Sequence, residues 1–177
     1  MNKKTVFIII SALLMLGLMA SMLLMLTMKA HENFPKSIKV REDGVTEDVF
    51  AIRDLQLCPT ESKECEIDLV CDASGDYNIT MTYEERKQGT MKHYVDVVVK
   101  ANGETVYQGK LSKLIDDKEV VSFDGTLEAD EPLTVTVRYV MPYETGNEAQ
   151  GTSADFDLHL KLKKFNFREV LWKREGL

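Results

Sequence analysis

The sequence predicts an all-β protein: a two-sheet antiparallel sandwich of the jelly-roll or Greek-key kind, preceded by one N-terminal hydrophobic helix. Apolar and polar residues alternate with a period of two through most of the chain after residue 37. That period is typical of strands that bury one face and wet the other, as in antiparallel sheets. A mostly apolar stretch, residues 5–28, precedes the alternating part. We expect no long helix after it.

The apolar stretch is an export segment. Lys3 and Lys4 come directly before it, and as a helix it would rise about 36 Å, enough to cross a hydrocarbon core of about 30 Å. It exceeds the roughly 7–15 residues of a usual signal-peptide core. Two alternatives follow, an uncleaved membrane anchor or a long signal peptide that is removed. In both, we expect the rest of the chain outside the cytoplasm, anchored to the cell membrane or secreted to the cell surface.

The remaining residues suffice for one domain. The chain has 177 residues, and the part after the export segment has the size of a single sandwich. We divide it into a polar linker at 29–37, a β-sandwich at 38–164 and a basic C-terminal tail at 165–177.

A tight hairpin is the clearest local prediction. Two apolar runs, 94–100 and 104–108, flank Asn102-Gly103, a pair that supplies the two positive φ angles of such a turn. Further strands are expected at 48–57, 63–71 and 119–123, eight or nine in all, with short helical turns around 110–116 and 165–174. Three alternating runs give the expected inward faces: Tyr77, Ile79, Met81 and Tyr83; Leu133, Val135, Val137, Tyr139 and Met141; Phe156, Leu158, Leu160 and Leu162.

The charge balance excludes nucleic acid as a partner. The chain carries 29 acidic against 22 basic side chains, a formal net charge of -7. A protein of that sign repels a phosphate backbone. The expected partners are further copies of this chain or related matrix proteins, and the membrane through residues 5–28 if they are retained.

Three cysteines, Cys58, Cys65 and Cys71, fall in one short stretch. Outside the cytoplasm a disulfide is the natural expectation. Cys65 and Cys71 would lie about 20 Å apart on one strand, too far to bond. The turn between strands favours a Cys58–Cys65 bridge. Cys71 would then be either buried beside Ile67 and Leu69 or paired with another chain.

No pattern of catalytic or metal-binding residues is present. His31, His93 and His159 are scattered, and none stands in a metal-ligand spacing. The cysteines lack the close two-residue spacing of zinc motifs. We therefore expect no catalytic residue, no metal and no cofactor.

One stretch resembles a known family. Pro142 ends a strand, the loop Gly146-Asn147-Glu-Ala-Gln150-Gly151 follows, and Phe156-Asp-Leu158 opens the last strand. This arrangement resembles the C-terminal part of the TasA/camelysin family of exported Gram-positive surface proteins. The resemblance implies a jelly-roll sandwich that serves as a biofilm-matrix fibre subunit or as its accessory protein. Some members carry a metallopeptidase label, which no zinc motif of this sequence supports.

The same loop has a meaning in its residues alone. Gly146 and Asn147 tolerate left-handed backbone, and the amides of Asn147 and Gln150 can hold the loop's own carbonyls. Such residues in a turn favour a structural role over a ligand site.

Two functions follow as hypotheses. The first is a structural surface protein, assembled when one subunit donates residues 38–52 to the open sheet edge of another. The alternative is a membrane-anchored extracellular binding module for a carbohydrate, a peptide or a protein partner.

Overall fold

The computed structural model describes residues 36–41 and 45–165. The predicted hydrophobic helix at 5–28, the linker up to residue 35 and the tail after residue 165 lie outside the described residues. Everything described belongs to one compact unit, Pro35–Leu177.

The described residues are mostly β. The strands are β1 Lys36–Val40, β2 Val45–Leu55, β3 Ser62–Cys71, β4 Gly75–Lys87, β5 Asp96–Ala101, β6 Glu104–Lys110, β7 Val121–Leu127, β8 Leu133–Val140 and β9 Ala154–Lys164. A short helix, α1, spans Leu111–Ile115, and single 3-10 turns occupy Met91–His93 and Asn147–Ala149. The helical turn predicted at 110–116 is therefore confirmed. β1 begins two residues before the predicted start of the domain.

The strands form the predicted two-sheet sandwich. One sheet has five strands in the order β1-β3-β8-β5-β6, and the other has four in the order β2-β9-β4-β7. Among the described strands, every connection crosses from one sheet to the other except the β5–β6 hairpin.

The pairing is not antiparallel throughout, and this corrects the prediction. β1 runs parallel to β3, with Lys36 opposite Ile67 and Val40 opposite Cys71. The cause is the crossing pattern. β2 returns through the other sheet, so β1 and β3 enter their shared sheet from the same end.

The core lies between the two sheets and matches the predicted inward faces. All the residues named above for the three alternating runs are buried. The ring of Phe156 sits at the centre, 5.5 Å from the ring of Tyr139 and 5.8 Å from that of Tyr83. Because β8 belongs to one sheet and β9 to the other, the contact between Tyr139 and Phe156 joins the two layers.

The predicted hairpin is confirmed. Asn102 and Gly103 have φ angles of 46° and 85°, as a tight turn between twisted strands requires. Asn102 also fixes the turn to β8, since its amide N–H donates to the Thr134 carbonyl at 2.9 Å and its side-chain oxygen accepts from the Thr134 N–H at 3.0 Å.

Alanine at Gly103 should destabilise the fold through the backbone alone. A Cβ at Gly103 meets nothing within 4 Å, but the φ angle of 85° is left-handed. We expect Gly103→Ala to lower the free energy of unfolding by about 1 kcal/mol. Urea unfolding measures this. Gly146→Ala is the matched control, because its Cβ is equally unobstructed and its φ is -74°. Equal losses in the two variants would contradict the backbone explanation.

Candidate functional site

The first candidate site is the edge formed by β1. This strand pairs with β3 along one side and ends the five-stranded sheet on the other. Ile38 and Val40 are buried in the core. The other contacts are at the surface: Lys39 pairs with Asp72 at 2.8 Å, and the Lys36 ammonium lies 3.0 Å from Asp48. The Lys36 ammonium also lies 4.4 Å from the centroid of the buried Phe50 ring, so two apolar side chains, one backbone ladder and this cation–π contact hold β1.

The second candidate is a trough on the outer face of the four-stranded sheet, with a volume of about 510 Å³. Its floor combines side chains of β4 and β9. β2 borders it on one side, and the segment between α1 and β7 borders it on the other. The trough is lined by Thr80, Thr82 and Glu84 of β4, His159 and Lys161 of β9, Glu47 and Val49 of β2, and the segment 118–120.

Strand register explains why these side chains share one face. Val49 and Thr82 both stand opposite His159, one on each neighbouring strand. Directly opposed residues in antiparallel strands project to the same side of a sheet. Because the alternate residues of β9 fill the core, the floor of the trough is the polar side of the same pattern.

Ion pairs organise the floor. The Lys161 ammonium lies 2.6 Å from Glu47 Oε1, and His159 Nε2 lies 3.4 Å from Glu84 Oε2. Arg86 approaches Glu84 at 3.3 Å. These groups are partly exposed, so the pairs add little stability but keep polar atoms in fixed places.

A buried carboxylate lies beside the floor. The side chain of Asp157 is 6% exposed and receives bonds from Arg53 Nη2 at 2.5 Å and Arg86 Nε at 2.6 Å. Burial by itself raises the pKa of Asp157, but the two guanidinium bonds outweigh it and hold that pKa below its ordinary value. Asp157 is thus a structural anion that links β2, β9 and β4.

A bulge in β2 lets Arg53 reach this carboxylate. Register shifts between Ile52 and Leu55, and Asp54 there has a φ of 48°. The Asp54 N–H donates to Asp155 Oδ1 at 2.6 Å, while Arg53 Nη1 donates to the Phe156 carbonyl at 2.9 Å. The bulge therefore replaces regular ladder bonds with side-chain bonds.

Lys92 anchors the wall of the trough that follows α1. Its ammonium is nearly buried and lies 2.8 Å from Glu85 Oε1 and 2.7 Å from Asp116 Oδ1. Burial lowers the pKa of Lys92, but the bonds to Asp116 and Glu85 outweigh it and raise the pKa above its ordinary value. Asp116 directly follows α1, so this contact ties the start of the wall to β4.

The other end of the wall is tied by Glu119. Its N–H donates to the Lys113 carbonyl at 3.1 Å, and its carboxylate accepts from the Tyr107 hydroxyl at 3.3 Å. Burial and the nearby Glu119 carboxylate raise the pKa of Tyr107 to about 12, so this hydroxyl stays a donor.

The cysteines do not form the expected bridge. Cys58 is an exposed free thiol, whereas Cys65 is buried, and no disulfide is present among the described residues. The Cys58 carbonyl closes a turn with the N–H of Glu61, and Cys65 lies several residues farther along an extended strand, about 10 Å beyond the start of β3. Cys58 therefore lies in an exposed turn, whereas Cys65 is buried within β3. Cys71 is buried in the core, the first of its two predicted places.

The family-like loop is built by contacts within itself. Gln150 Nε2 donates to Asn147 Oδ1 at 3.0 Å, so these two amides bond each other rather than the loop carbonyls. Gly151 takes the left-handed conformation at φ 71°, whereas Gly146, predicted to suit it, does not. Ala149 is buried, and Pro142 closes a turn with Thr145.

Neither of the two described histidines lies in a cluster of metal ligands. His93 is exposed in a 3-10 turn, His159 lies in the trough and His31 falls outside the described residues. Within residues 36–41 and 45–165, no three histidine, cysteine or acidic side chains stand close enough to hold a metal ion. In the same ranges no helix is long and apolar enough to span a membrane.

The sequence shows His159 only as one of three scattered histidines and does not predict the trough or the roles of Asp157 and Lys92. An aspartate on the polar face of a strand has the same pattern whether it is solvated or clamped by two arginines. The sequence likewise does not predict that Lys92 is buried. Both roles depend on residues far away in the sequence.

Comparisons with known proteins show no family. No family model matches the chain, and no curated protein matches it. Among solved structures, PliG of Aeromonas hydrophila, a periplasmic inhibitor of g-type lysozyme, is 12% identical with a TM-score of 0.34, covering 72% of this chain and 96% of its own.

Two further solved structures have similarly low identity to this chain. The CBM36-1 domain of a xylanase from the hindgut metagenome of Trinervitermes trinervoides is 13% identical with a TM-score of 0.31, covering 68% of this chain and 99% of its own. A Paenibacillus barengoltzii β-glucosidase is 8% identical with a TM-score of 0.31; the match covers 73% of this chain but only 12% of that enzyme. These similarities carry no conclusion about function.

Replacing Lys92 by methionine should loosen the wall of the trough. Two carboxylates would then lose their shared buried cation, and we expect Lys92→Met to lower the free energy of unfolding by about 2 kcal/mol. Lys110→Met is the control. Lys110 pairs with Asp96 at the same distance of 2.8 Å, but both side chains are substantially exposed to solvent. Loss of this pair should therefore lower the free energy of unfolding by less than about 1 kcal/mol. Chemical denaturation separates the two, and similar costs would count against a buried anchor.

The Asp157 cluster should make stability depend on acid pH. Because its folded pKa is lowered, its stabilisation is complete above its ordinary unfolded value of about 4 and is lost as pH falls through the folded value. Asp157→Asn should therefore be less stable at neutral pH and should lose less stability than the parent between neutral pH and about pH 2. Denaturant titrations across that range test this, with the exposed Asp124→Asn as the control. If the stabilities of the parent and of Asp157→Asn changed with pH in parallel, the Asp157 cluster would not be the source of the acid dependence.

Proposed function

We propose that this chain is an exported cell-surface structural protein similar to TasA, a biofilm-matrix fibre subunit or its accessory protein. It is anchored or released through residues 5–28 and has no catalytic activity and no cofactor. The observation that carries this function is β1, a strand at the sheet edge held by one neighbour. A strand held in this way can be supplied by another copy of the same chain.

The donated segment is β1 rather than the whole of 38–52. β2 pairs with β9 over nearly its full length, and its Phe50, Ile52 and Leu55 are buried. Withdrawing β2 would open the core, whereas withdrawing β1 uncovers the edge of β3 and the places of two apolar side chains. Head-to-tail exchange of β1 gives a contact that does not close on itself, which is the geometry of a fibre.

The finer fold supports the same assignment. We propose that β2 to β9 form a jelly roll. Without β1, the two sheets have the strand orders β2-β9-β4-β7 and β3-β8-β5-β6, which is the order of an eight-stranded jelly roll. β1 then lies outside this eight-strand unit as an added edge.

A cysteine trap tests strand exchange. Ser37 and Asp68 stand opposite each other in the β1–β3 pair, at a spacing of about 4.8 Å that suits a disulfide. In a Cys58→Ser background, the variant with Ser37→Cys and Asp68→Cys is oxidised on cells and its surface fraction is run without reductant. Exchange predicts a ladder of covalent multimers. The single variant Ser37→Cys should give dimers at most, and a double variant found only as monomer would refute exchange.

A second function, a membrane-anchored extracellular binding module, is favoured by the trough. Its volume of about 510 Å³ falls in the range of ligand sites, and its ion pairs hold polar groups in place. A monomeric cysteine trap together with retained residues 1–28 would favour this module over the fibre.

A further inference from the structure

The trough combines exposed apolar rims with a polar floor. Val49 on β2 and Val120 before β7 are 46% and 51% exposed and stand on opposite sides. Between them lie the hydroxyls of Thr80 and Thr82 and the paired groups of Glu84 and His159. A ligand lying here would meet aliphatic carbon at its sides and hydrogen-bonding groups beneath it.

The charges of the lining disfavour an anionic ligand. Three carboxylates, Glu47, Glu84 and Glu119, line the trough with two lysines, Lys118 and Lys161. Glu47 is paired with Lys161, and Glu84 lies beside Arg86 and His159. Lys118 has no ion pair among the described residues, but the carboxylates outnumber the lysines, so the trough as a whole does not favour an anion. The carboxylate and hydroxyl oxygens still have lone pairs to accept further hydrogen bonds.

An extended peptide fits the trough poorly. β9 is paired on both sides, with β2 and with β4, so the floor offers no open backbone ladder for an added strand. The two exposed valines give too little apolar surface for a protein hot spot. A chain dense in hydroxyls, which donate to carboxylates and accept from lysine, suits the floor better.

We propose that the trough binds a glycan chain without acidic groups. This rests on the binding-module function proposed above and is independent of strand exchange. Carboxylates and threonine hydroxyls bond the sugar hydroxyls, and Val49 and Val120 pack against the C–H faces of the sugars. Tyr83 contributes to the lining, but its ring is buried in the core against Phe156. No tyrosine, phenylalanine or tryptophan ring of the lining is therefore open for stacking on a sugar, and we expect a weak site, with a dissociation constant on the order of 1 mM.

Lys92 is a positioning residue for this site. It touches no part of the floor, but its bond to Asp116 holds the start of the segment that carries Val120. Lys92→Met should therefore weaken glycan binding, and Lys110→Met should not.

The test uses the full chain in detergent micelles and saturation-transfer NMR. The probes are the neutral tetrasaccharides of N-acetylglucosamine, glucose and xylose, each at about 10 mM, roughly ten times the expected dissociation constant. Tetragalacturonate at the same concentration reports on charge, and a Gly-Ser octapeptide reports on peptide binding. We expect transfer to at least one neutral tetrasaccharide and much less to the other two probes.

Two arginine variants locate the site. Thr82→Arg fills the floor and should weaken binding at least about tenfold. Thr126→Arg places the same side chain on β7, opposite Asp76 and away from the trough, and should leave binding unchanged. If Thr82→Arg does not fold, Glu84→Gln replaces it, since it removes one carboxylate charge at nearly constant shape.

Each contrary result overturns the glycan site. It falls if no neutral tetrasaccharide shows transfer, if tetragalacturonate binds equally well, or if the trough variants bind like the parent. Binding of the octapeptide alone would overturn the glycan but keep the binding module. If none of the probes binds and the cysteine trap gives a covalent ladder, the results support only the fibre function.

Discussion

The alternation of β9 is the constraint on which the rest of the structure depends. β9 pairs with β2 on one side and with β4 on the other. Every second side chain, from Phe156 to Leu162, enters the core, and His159 and Lys161 between them form part of the floor of the trough. A shift by one residue would exchange the two sets, so the hydrophobic core and the polar face fix each other's position.

Two charges that would be costly to bury alone are tolerated because each has two partners. Asp157 lies between two guanidinium groups, and Lys92 lies between two carboxylates. Desolvation of an unpaired ion of either kind would cost several kcal/mol. These clusters do not drive folding; they specify where the bulge of β2 and the segment after α1 must lie. The Lys92 cluster thereby fixes the start of the trough wall, while the core-facing alternation of β9 fixes the floor.

The two proposed functions use different parts of one sandwich. Strand exchange needs the weakly held β1, on the edge of the five-stranded sheet, whereas ligand binding needs the outer face of the four-stranded sheet. β1 can be replaced by an identical strand without disturbing the trough, because the replacement restores the same pairing with β3. A fibre built in this way would carry one trough on each subunit, and multiple weak sites on one assembly bind polymers more strongly than a single site does.

The sequence by itself determined the sandwich, the inward faces of its long strands and the Asn102-Gly103 hairpin, because periodicity and turn chemistry are local. It also indicated the short helix, and it left the burial of Cys71 as one of two alternatives. Only the tertiary structure decided the parallel β1–β3 pair, the separation of Cys58 from Cys65, the bond between Asn147 and Gln150, and the trough. The parallel pair and the trough depend on which strands become neighbours, whereas the cysteine positions and the Asn147–Gln150 bond depend on the exact conformation of their turns. Asp157 shows the reason most directly, since its two arginine partners lie 104 and 71 residues away along the chain.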